Sequence, residues 1–207
     1  MFTGIIEEVG AVARRSGHEL AILAEVVTED LRVGDSVAID GACMTAVAVE
    51  KDRFVVQVSP ESFKRTTLGA FRPGHAVNLE RAMSANGRFG GHVVQGHVDG
   101  VGRIESVTPQ GNFALWKFWA PDDVARYLVP KGSVCIDGIS LTVVEPEGNT
   151  FSVAVIPETL TKTKLPAKGK GSEVNMEADI FGKHIYHYLK GGEQNGISRD
   201  FLAQHGF

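Results

Sequence analysis

Residues 36–83 recur at residues 133–180. Sliding the chain by 97 positions superposes the two windows without a gap, and twenty residues coincide. Unrelated windows of that size and ordinary composition would share roughly three. Among the coincident residues are Asp40-Gly41, Thr45, Pro60-Glu61, Gly74, Val77-Asn78 and Glu80. A unit this long is not the short module of a solenoid, so the chain reads as two copies of one domain. Two copies of one pocket suit a protein that handles two copies of one small molecule. Upstream the repeat resumes at an offset of 92, pairing Gly4 with Gly96, Ile6 with Val98 and Val9-Gly10 with Val101-Gly102. The change of offset predicts a five-residue insertion in the second copy, near residues 108–119.

At 207 residues the chain lies between one and two average domains, and the repeat decides for two. The segments between turn signals are short, β-branched and roughly alternating, and their echoes recur in the second copy. Strands of this kind, punctuated by Asp52-Arg53, Pro73-Gly74 and Gly148-Asn149, predict an all-β barrel or sandwich. Short helical pieces are expected after Pro60-Glu61 and Pro157-Glu158, where proline suits a first turn. Only the second copy continues into a longer helix. Asp179 caps it, Ile180, Phe181, Ile185, Tyr188 and Leu189 form one apolar stripe, and Gly191-Gly192 is expected to stop it. That stripe packs either on its own barrel or on another subunit.

Net charge is −4 and the basic residues are scattered, which argues against nucleic acid and anionic membranes as partners. No apolar run approaches the roughly 18 residues of a membrane span, and the first residues do not read as a signal peptide. Cys43 and Cys135 have no metal-type spacing and are expected to be free thiols. The expectation is a soluble cytoplasmic protein.

Residues shared by the copies would grip the common parts of a ligand, and unshared ones would make the two sites chemically different. Thr45 with Thr142, Pro60-Glu61 with Pro157-Glu158, and Gly4 with Gly96 are shared, while Ser62 and Thr159 keep a hydroxyl. Each alone is an ordinary strand threonine or helix start; together they make two equivalent constellations. The unshared set is pointed: His97 answers Ile5, Ser140 answers Cys43, and Lys131 answers Gly34. A histidine suits proton transfer near neutral pH, and a serine or thiol can add to a ring or hold a water. His92 with His97, and His184 with His187, have spacings a metal could use, but no third ligand stands nearby, so no metal site is expected.

Met1-Phe2-Thr3-Gly4-Ile5-Ile6, the run Gly90-Gly91-His92-Val93-Val94-Gln95-Gly96-His97-Val98-Asp99-Gly100, and Ile136-Asp137-Gly138-Ile139-Ser140-Leu141-Thr142 resemble the riboflavin synthase family. The resemblance spans essentially the whole chain, and the segment Phe181-Gly182-Lys183-His184-Ile185-Tyr186 and the Gly206-Phe207 ending are similar to its Gram-positive branch. It implies an all-β fold of two tandem homologous six-stranded Greek-key barrels followed by a C-terminal α-helix. Residues 1–96 would form the first lumazine-binding barrel, 97–193 the second with its trimerisation helix, and 194–207 a tail. The implied reaction is a dismutation of two 6,7-dimethyl-8-ribityllumazine molecules into riboflavin and 5-amino-6-ribitylaminouracil, without metal or organic cofactor. A homotrimer is implied, two lumazines meeting between the first barrel of one chain and the second of the next, with a lumazine synthase capsid as a further partner.

Carried over by motif, ligand contacts in copy one are Gly4, Ile5, Ile6, Cys43, Met44, Thr45, Gln57, Val58, Ser59, Pro60, Glu61 and Ser62. In copy two they are Gly96, His97, Val98, Ser140, Leu141, Thr142, Ala154, Val155, Ile156, Pro157, Glu158 and Thr159, with Lys131 alongside; Phe2 and Asp179 also match. His97, Ser140, Thr142 and Cys43 are the expected catalytic residues. Two departures from the family pattern are Met44 where leucine is usual and Ala42-Cys43 where cysteines are paired. The rival expectation is a non-catalytic lumazine- or flavin-binding fluorescent protein of the same fold. Such relatives tend to lose the second-barrel residues kept here.

Overall fold

A computed structural model describes residues 1–195, with side chains through Lys190. The first copy contributes β1 (Glu8–Ser16), β2 (Glu19–Leu23), β3 (Ser36–Ile39), β4 (Ala42–Glu50), β5 (Arg53–Gln57) and β6 (Ala76–Arg81), with helix α1 (Pro60–Arg65) before β6. They close into a barrel in the order β1-β2-β5-β4-β3-β6, so β2 to β3 is the crossover of a Greek key. The second copy repeats the plan with β7 (Gly100–Gln110), β8 (Phe113–Trp119), β9 (Ser133–Ile136), β10 (Ile139–Thr142), β11 (Thr150–Val155) and β12 (Glu173–Ala178). Helix α2 (Asp122–Ala125) lies between β8 and β9, and α3 (Pro157–Lys162) precedes β12. Its six strands stand in the same cyclic order, β10-β9-β12-β7-β8-β11.

The second sheet differs from the first at one seam. In copy one, β4 and β5 pair through Ala46↔Val56, Val49↔Phe54 and Glu50↔Arg53. In copy two no continuous ladder joins β10 to β11; the segment after β10 meets β11 through the isolated bridges Val143↔Val153 and Glu147↔Thr150 and a Val144 N–H bond to the Ser152 carbonyl at 2.8 Å. Pro146 stands where Val49 stands in copy one, and a proline has no N–H to give to the ladder. The expected barrel is therefore closed by bridges rather than by a continuous ladder.

Most of the predicted insertion lengthens one hairpin. β7 has 11 residues against 9 in β1, and β8 has 7 against 5 in β2. Each sheet wraps its own core, around Leu20, Ile22, Phe54 and Leu79 in the first and Phe118, Phe151, Ile136 and Met176 in the second. Trp116 is buried and stacks on Phe118, so it is a core residue.

The two copies meet back to back about a pseudo-twofold axis, through residues the repeat preserves. Asn78 Nδ2 donates to the Asp137 carbonyl at 2.9 Å, and Asn175 Nδ2 donates to the Asp40 carbonyl at 2.8 Å. The amide oxygens of the same side chains accept from the Lys164 and Thr67 backbone N–H groups, each at 2.8 Å. Gly41 and Gly138 touch at the axis; a Cβ on Gly41 would lie 2.7 Å from the Gly138 nitrogen. Asp40 is fully buried, which pushes its carboxyl up to about 6 against the pull of the Lys164 ammonium. Lys164 pairs with Asp40, and Lys168 reaches Asp137 at 2.5 Å. Replacing Asn175 by Ala strips the buried Asp40 carbonyl and Thr67 N–H of their partners. The expected cost is about 1–3 kcal/mol for each buried group left alone, read as a lower urea midpoint. An unchanged midpoint would show that the interface does not depend on this bond pair.

Helix α4 (Ile180–Asn195) follows β12 directly. Asp179 caps it as expected, its carboxylate accepting from the Phe181 N–H at 2.9 Å. The helix is not stopped by Gly191-Gly192 but runs through them to Asn195; glycine weakens a helix without forbidding it. Phe181, Ile185, Tyr188 and Leu189 are all exposed, Tyr188 at 81%. The stripe therefore does not pack on its own barrel. The tail from residue 196 lies outside the described residues. Among the described residues, no helix is long and apolar enough to cross a membrane.

Candidate functional site

The site is built on two extended arms, one ahead of each barrel. Phe2 and Val94 bridge them, with Phe2 N–H donating to the Val94 carbonyl at 2.7 Å and Val94 N–H returning a bond at 3.1 Å. The Phe2 ring is fully buried among Ala38, Val94 and Cys135, so it supports both arms from beneath. Beyond this bridge each arm turns at a glycine with left-handed backbone, Gly4 at φ 77° and Gly96 at φ 81°.

Those glycines send the arms to opposite barrels. The Gly4 carbonyl accepts from Ser140 N–H at 2.8 Å, and the Gly96 carbonyl accepts from Cys43 N–H at 2.9 Å. A Cβ on Gly4 would lie 2.6 Å from that of Ser140, and one on Gly96 would lie 2.5 Å from that of Cys43. Both positions thus need glycine twice over, for backbone sign and for space. Ile6 packs on the second core, and Val98 on the first. Here the structure corrects the sequence reading. Gly4-Ile5-Ile6 belong with Ser140 and not with Cys43, and Gly96-His97-Val98 belong with Cys43 and not with Ser140.

A cleft of about 370 Å³ opens where the first arm meets the second barrel. Gly4, Ile5 and Ile6 form one wall, Ile139 and Ser140 the floor, and Ile156, Glu158 and Thr159 the other wall. Ile5 and Ile156 leave about half their surface open, 49% and 48%, and so present two apolar faces suited to a flat ring. Ser140 Oγ is held 2.7 Å from His92 Nδ1. Burial lowers the pKa of His92, so the imidazole is neutral near pH 7 and can exchange a proton with the hydroxyl. His92 Nε2 is buried without a partner among the described residues.

His92 is the candidate the sequence reading did not place at the site, since it named the residue only within a family motif and as half of a metal pair. At the first barrel the Ser140 position is Cys43, half-buried, and the facing arm brings Gly96, Val98 and the exposed His97. The second thiol, Cys135, is buried, which pushes it well above the ordinary thiol range and leaves it inert.

Other expected contacts take less central places. Met44, Val58, Leu141 and Val155 point into the cores, while Thr45, Thr142, Gln57 and Ala154 lie exposed on the same strands. Ser59 Oγ caps α1 by accepting from Ser62 N–H at 3.0 Å, and Pro60 opens that helix. Glu61 is paired with Arg65, which holds its carboxyl below the usual range. In copy two, Ile156 replaces the capping serine and Pro157 opens α3 without a side-chain cap. Lys131 keeps a left-handed backbone, φ 63°, where copy one has Gly34. Such a conformation costs a lysine roughly 1–2 kcal/mol and often marks a functional position. Asp179 lines a cleft between α4 and Tyr127, and its carboxylate opposes the effect of burial on His92. Among the described residues, no group of three or more His, Cys, Asp or Glu is placed to hold a metal ion.

Two homologous Greek-key barrels with exchanged arms, and a cleft where the first arm meets the second barrel, define the class of duplicated β-barrel proteins to which this chain belongs. Comparison with known proteins gives the class a name. The family model described as the lumazine binding domain matches twice, at residues 3–82 and 95–179. Riboflavin synthase of Actinobacillus pleuropneumoniae is 45% identical over the full length of both chains, and that of Bacillus subtilis is 40% identical over the same extent. In structure the chain resembles LumP complexed with riboflavin, with a TM-score of 0.80 over 86% of this chain and 99% of that one, at 21% identity. That identity speaks for the fold alone. The chain belongs to the lumazine-binding-domain family, in its riboflavin synthase branch.

Proposed function

We infer that the chain catalyses the dismutation of two 6,7-dimethyl-8-(1-D-ribityl)lumazine molecules, one donating a four-carbon unit to the other, to give riboflavin and 5-amino-6-(D-ribitylamino)uracil. The observation that carries this reading is the end-to-end match to riboflavin synthases. The preserved second-barrel cleft supports it. The C7 methyl of this lumazine is acidic, because its anion delocalises over the ring system. Much of the remaining work is holding two stacked, oppositely facing molecules, and positioning alone can lower such a barrier greatly.

The two pockets are alike in grip and unlike in chemistry. Thr45 and Thr142 hold the heterocycle at matching places, and the residues around Pro60 and Pro157 hold the ribityl chain. Ser140, poised on the neutral His92, handles the proton at the second pocket, with Thr142, His97 and Cys43 completing the polar set. Lys131 and Asp179 act beside the substrates. The division into residues 1–96, 97–193 and 194–207 assigns one pocket-bearing barrel to each of the first two segments. The exposed stripe of α4 builds a homotrimer in which the first barrel of one chain faces the second barrel of the next. The enzyme works in the cytoplasm, where Cys43 and Cys135 stay reduced, and a lumazine synthase capsid is its further partner. The fluorescent-protein reading is not favoured, since the LumP likeness carries only the fold.

Incubation of the purified protein with the lumazine should produce flavin absorbance with no added metal or nucleotide, at a rate unchanged by EDTA. A rate abolished by chelation and restored by a metal would overturn the mechanism.

A further inference from the structure

Two carboxylates at matching positions of the repeat are buried outside the cleft. Glu80 on β6 is 4% exposed and Glu177 on β12 is 2% exposed. A buried carboxylate needs donors, and for both of them the donors come from the arms. Glu80 Oε1 accepts from Thr3 N–H at 2.7 Å and from the Thr3 hydroxyl at 2.8 Å, and its Oε2 accepts from Gly4 N–H at 3.0 Å. Glu177 Oε1 accepts from Gln95 N–H at 2.7 Å, and its Oε2 accepts from Gly96 N–H at 2.9 Å. Each fork therefore grips its own repeat's arm at the glycine where that arm leaves for the other barrel. The same glycine is fixed on its far side by Ser140 or Cys43 of that other barrel.

We propose that Glu80 and Glu177 are positioning residues wired crosswise, Glu177 of the second barrel setting the pocket of the first, and Glu80 of the first barrel setting the pocket of the second. The proposal rests on the reading of those pockets as lumazine sites. Ile5-Ile6 and His97-Val98 follow the clasped glycines directly, so any slack at the clasp is passed to the pocket wall. A displacement of about 1 Å is enough to cost on the order of 10²-fold in a reaction that depends on orientation. Bonds from backbone N–H to a carboxylate are roughly twice as strong as neutral ones, which suits a clasp. Burial pushes Glu177 up to about 7, opposed by the arm's N–H groups and by Lys183, which pairs with Asp99 at 2.6 Å. Glu80 is raised by burial too, and takes the Thr3 hydroxyl where copy two has Gln95.

Glu177→Gln and Glu80→Gln test the wiring, because each keeps the volume and one acceptor oxygen while setting an NH₂ group against a donor. Amide hydrogen exchange at Gln95 and Gly96 should quicken by about tenfold or more in Glu177→Gln, with Thr3 and Gly4 unchanged, and the reverse in Glu80→Gln. The backbone amide signals of Thr45 and Thr142 then report lumazine binding at each pocket separately. In Glu177→Gln the Thr45 titration should weaken about tenfold and that of Thr142 should hold; in Glu80→Gln the pattern should invert. Thr3→Val, which removes a single donor, should weaken the Thr142 titration a few-fold even if a glutamine variant folds poorly. Loss in the same barrel as the substitution, equal loss at both reporters, or no loss would overturn the proposal. If the wild-type protein bound no lumazine, the functional reading would fall, and unchanged exchange rates would then refute the clasp independently.

Discussion

Ser140→Ala should lower turnover by about 10²–10⁴-fold while weakening lumazine binding by no more than about tenfold. The first range is the usual loss when a proton-transferring group is removed, and the second is that of one neutral hydrogen bond. The asymmetry is structural, since Ser140 holds His92 at 2.7 Å, while Cys43, in the matching place, meets the second arm at Gly96. His92→Ala should share the phenotype, and His97→Ala should also cost turnover more than affinity. Cys43→Ser should be milder, because it makes the first pocket resemble the second. Turnover measured beside fluorescence titration separates the two effects. A normal rate in Ser140→Ala, with a dead Cys43→Ser, would reverse the assignment of the pockets.

Truncation after Asp179 should abolish assembly and, with it, nearly all turnover. The removed helix carries Phe181, Ile185, Tyr188 and Leu189, each more than 60% exposed in the single chain. A contiguous apolar stripe of this kind on a capped helix marks an interaction surface. Both barrel cores are complete without it, so the truncated chain should remain folded and still bind lumazine in separate pockets. Light scattering should then report a monomer. A trimer that survived truncation would place the subunit contacts elsewhere.

The duplication made the architecture legible before any coordinates. Alternating strands and turn signals are local properties, so the two barrels, the Pro60 and Pro157 helices and the Asp179 cap could all be read along the chain. The lengthened β7–β8 hairpin was likewise visible as a change of offset. Pro146 is the instructive exception. Its lack of an N–H is a local fact, but its consequence, a seam held by bridges, depends on which strand lies opposite. Helix α4 overran Gly191-Gly192 because glycine lowers helix propensity by only about 1 kcal/mol.

By itself the sequence determined that one domain is built twice, which residues the copies share, and which residues distinguish them. It even marked Asp40, Asn78 and Glu80 as shared without giving a reason. The tertiary structure supplied the reason, because these residues bind across the pseudo-twofold axis or clasp the arms. It also decided which arm serves which barrel. Spacing along the chain cannot carry that information: Gly4 lies 136 positions from Ser140 and Gly96 lies 53 from Cys43, and either arm could in principle stay with its own barrel. The exchange is fixed by two left-handed glycines, two buried carboxylates and the packing of Ile6 and Val98 in opposite cores. Those contacts exist only once both barrels have folded and met.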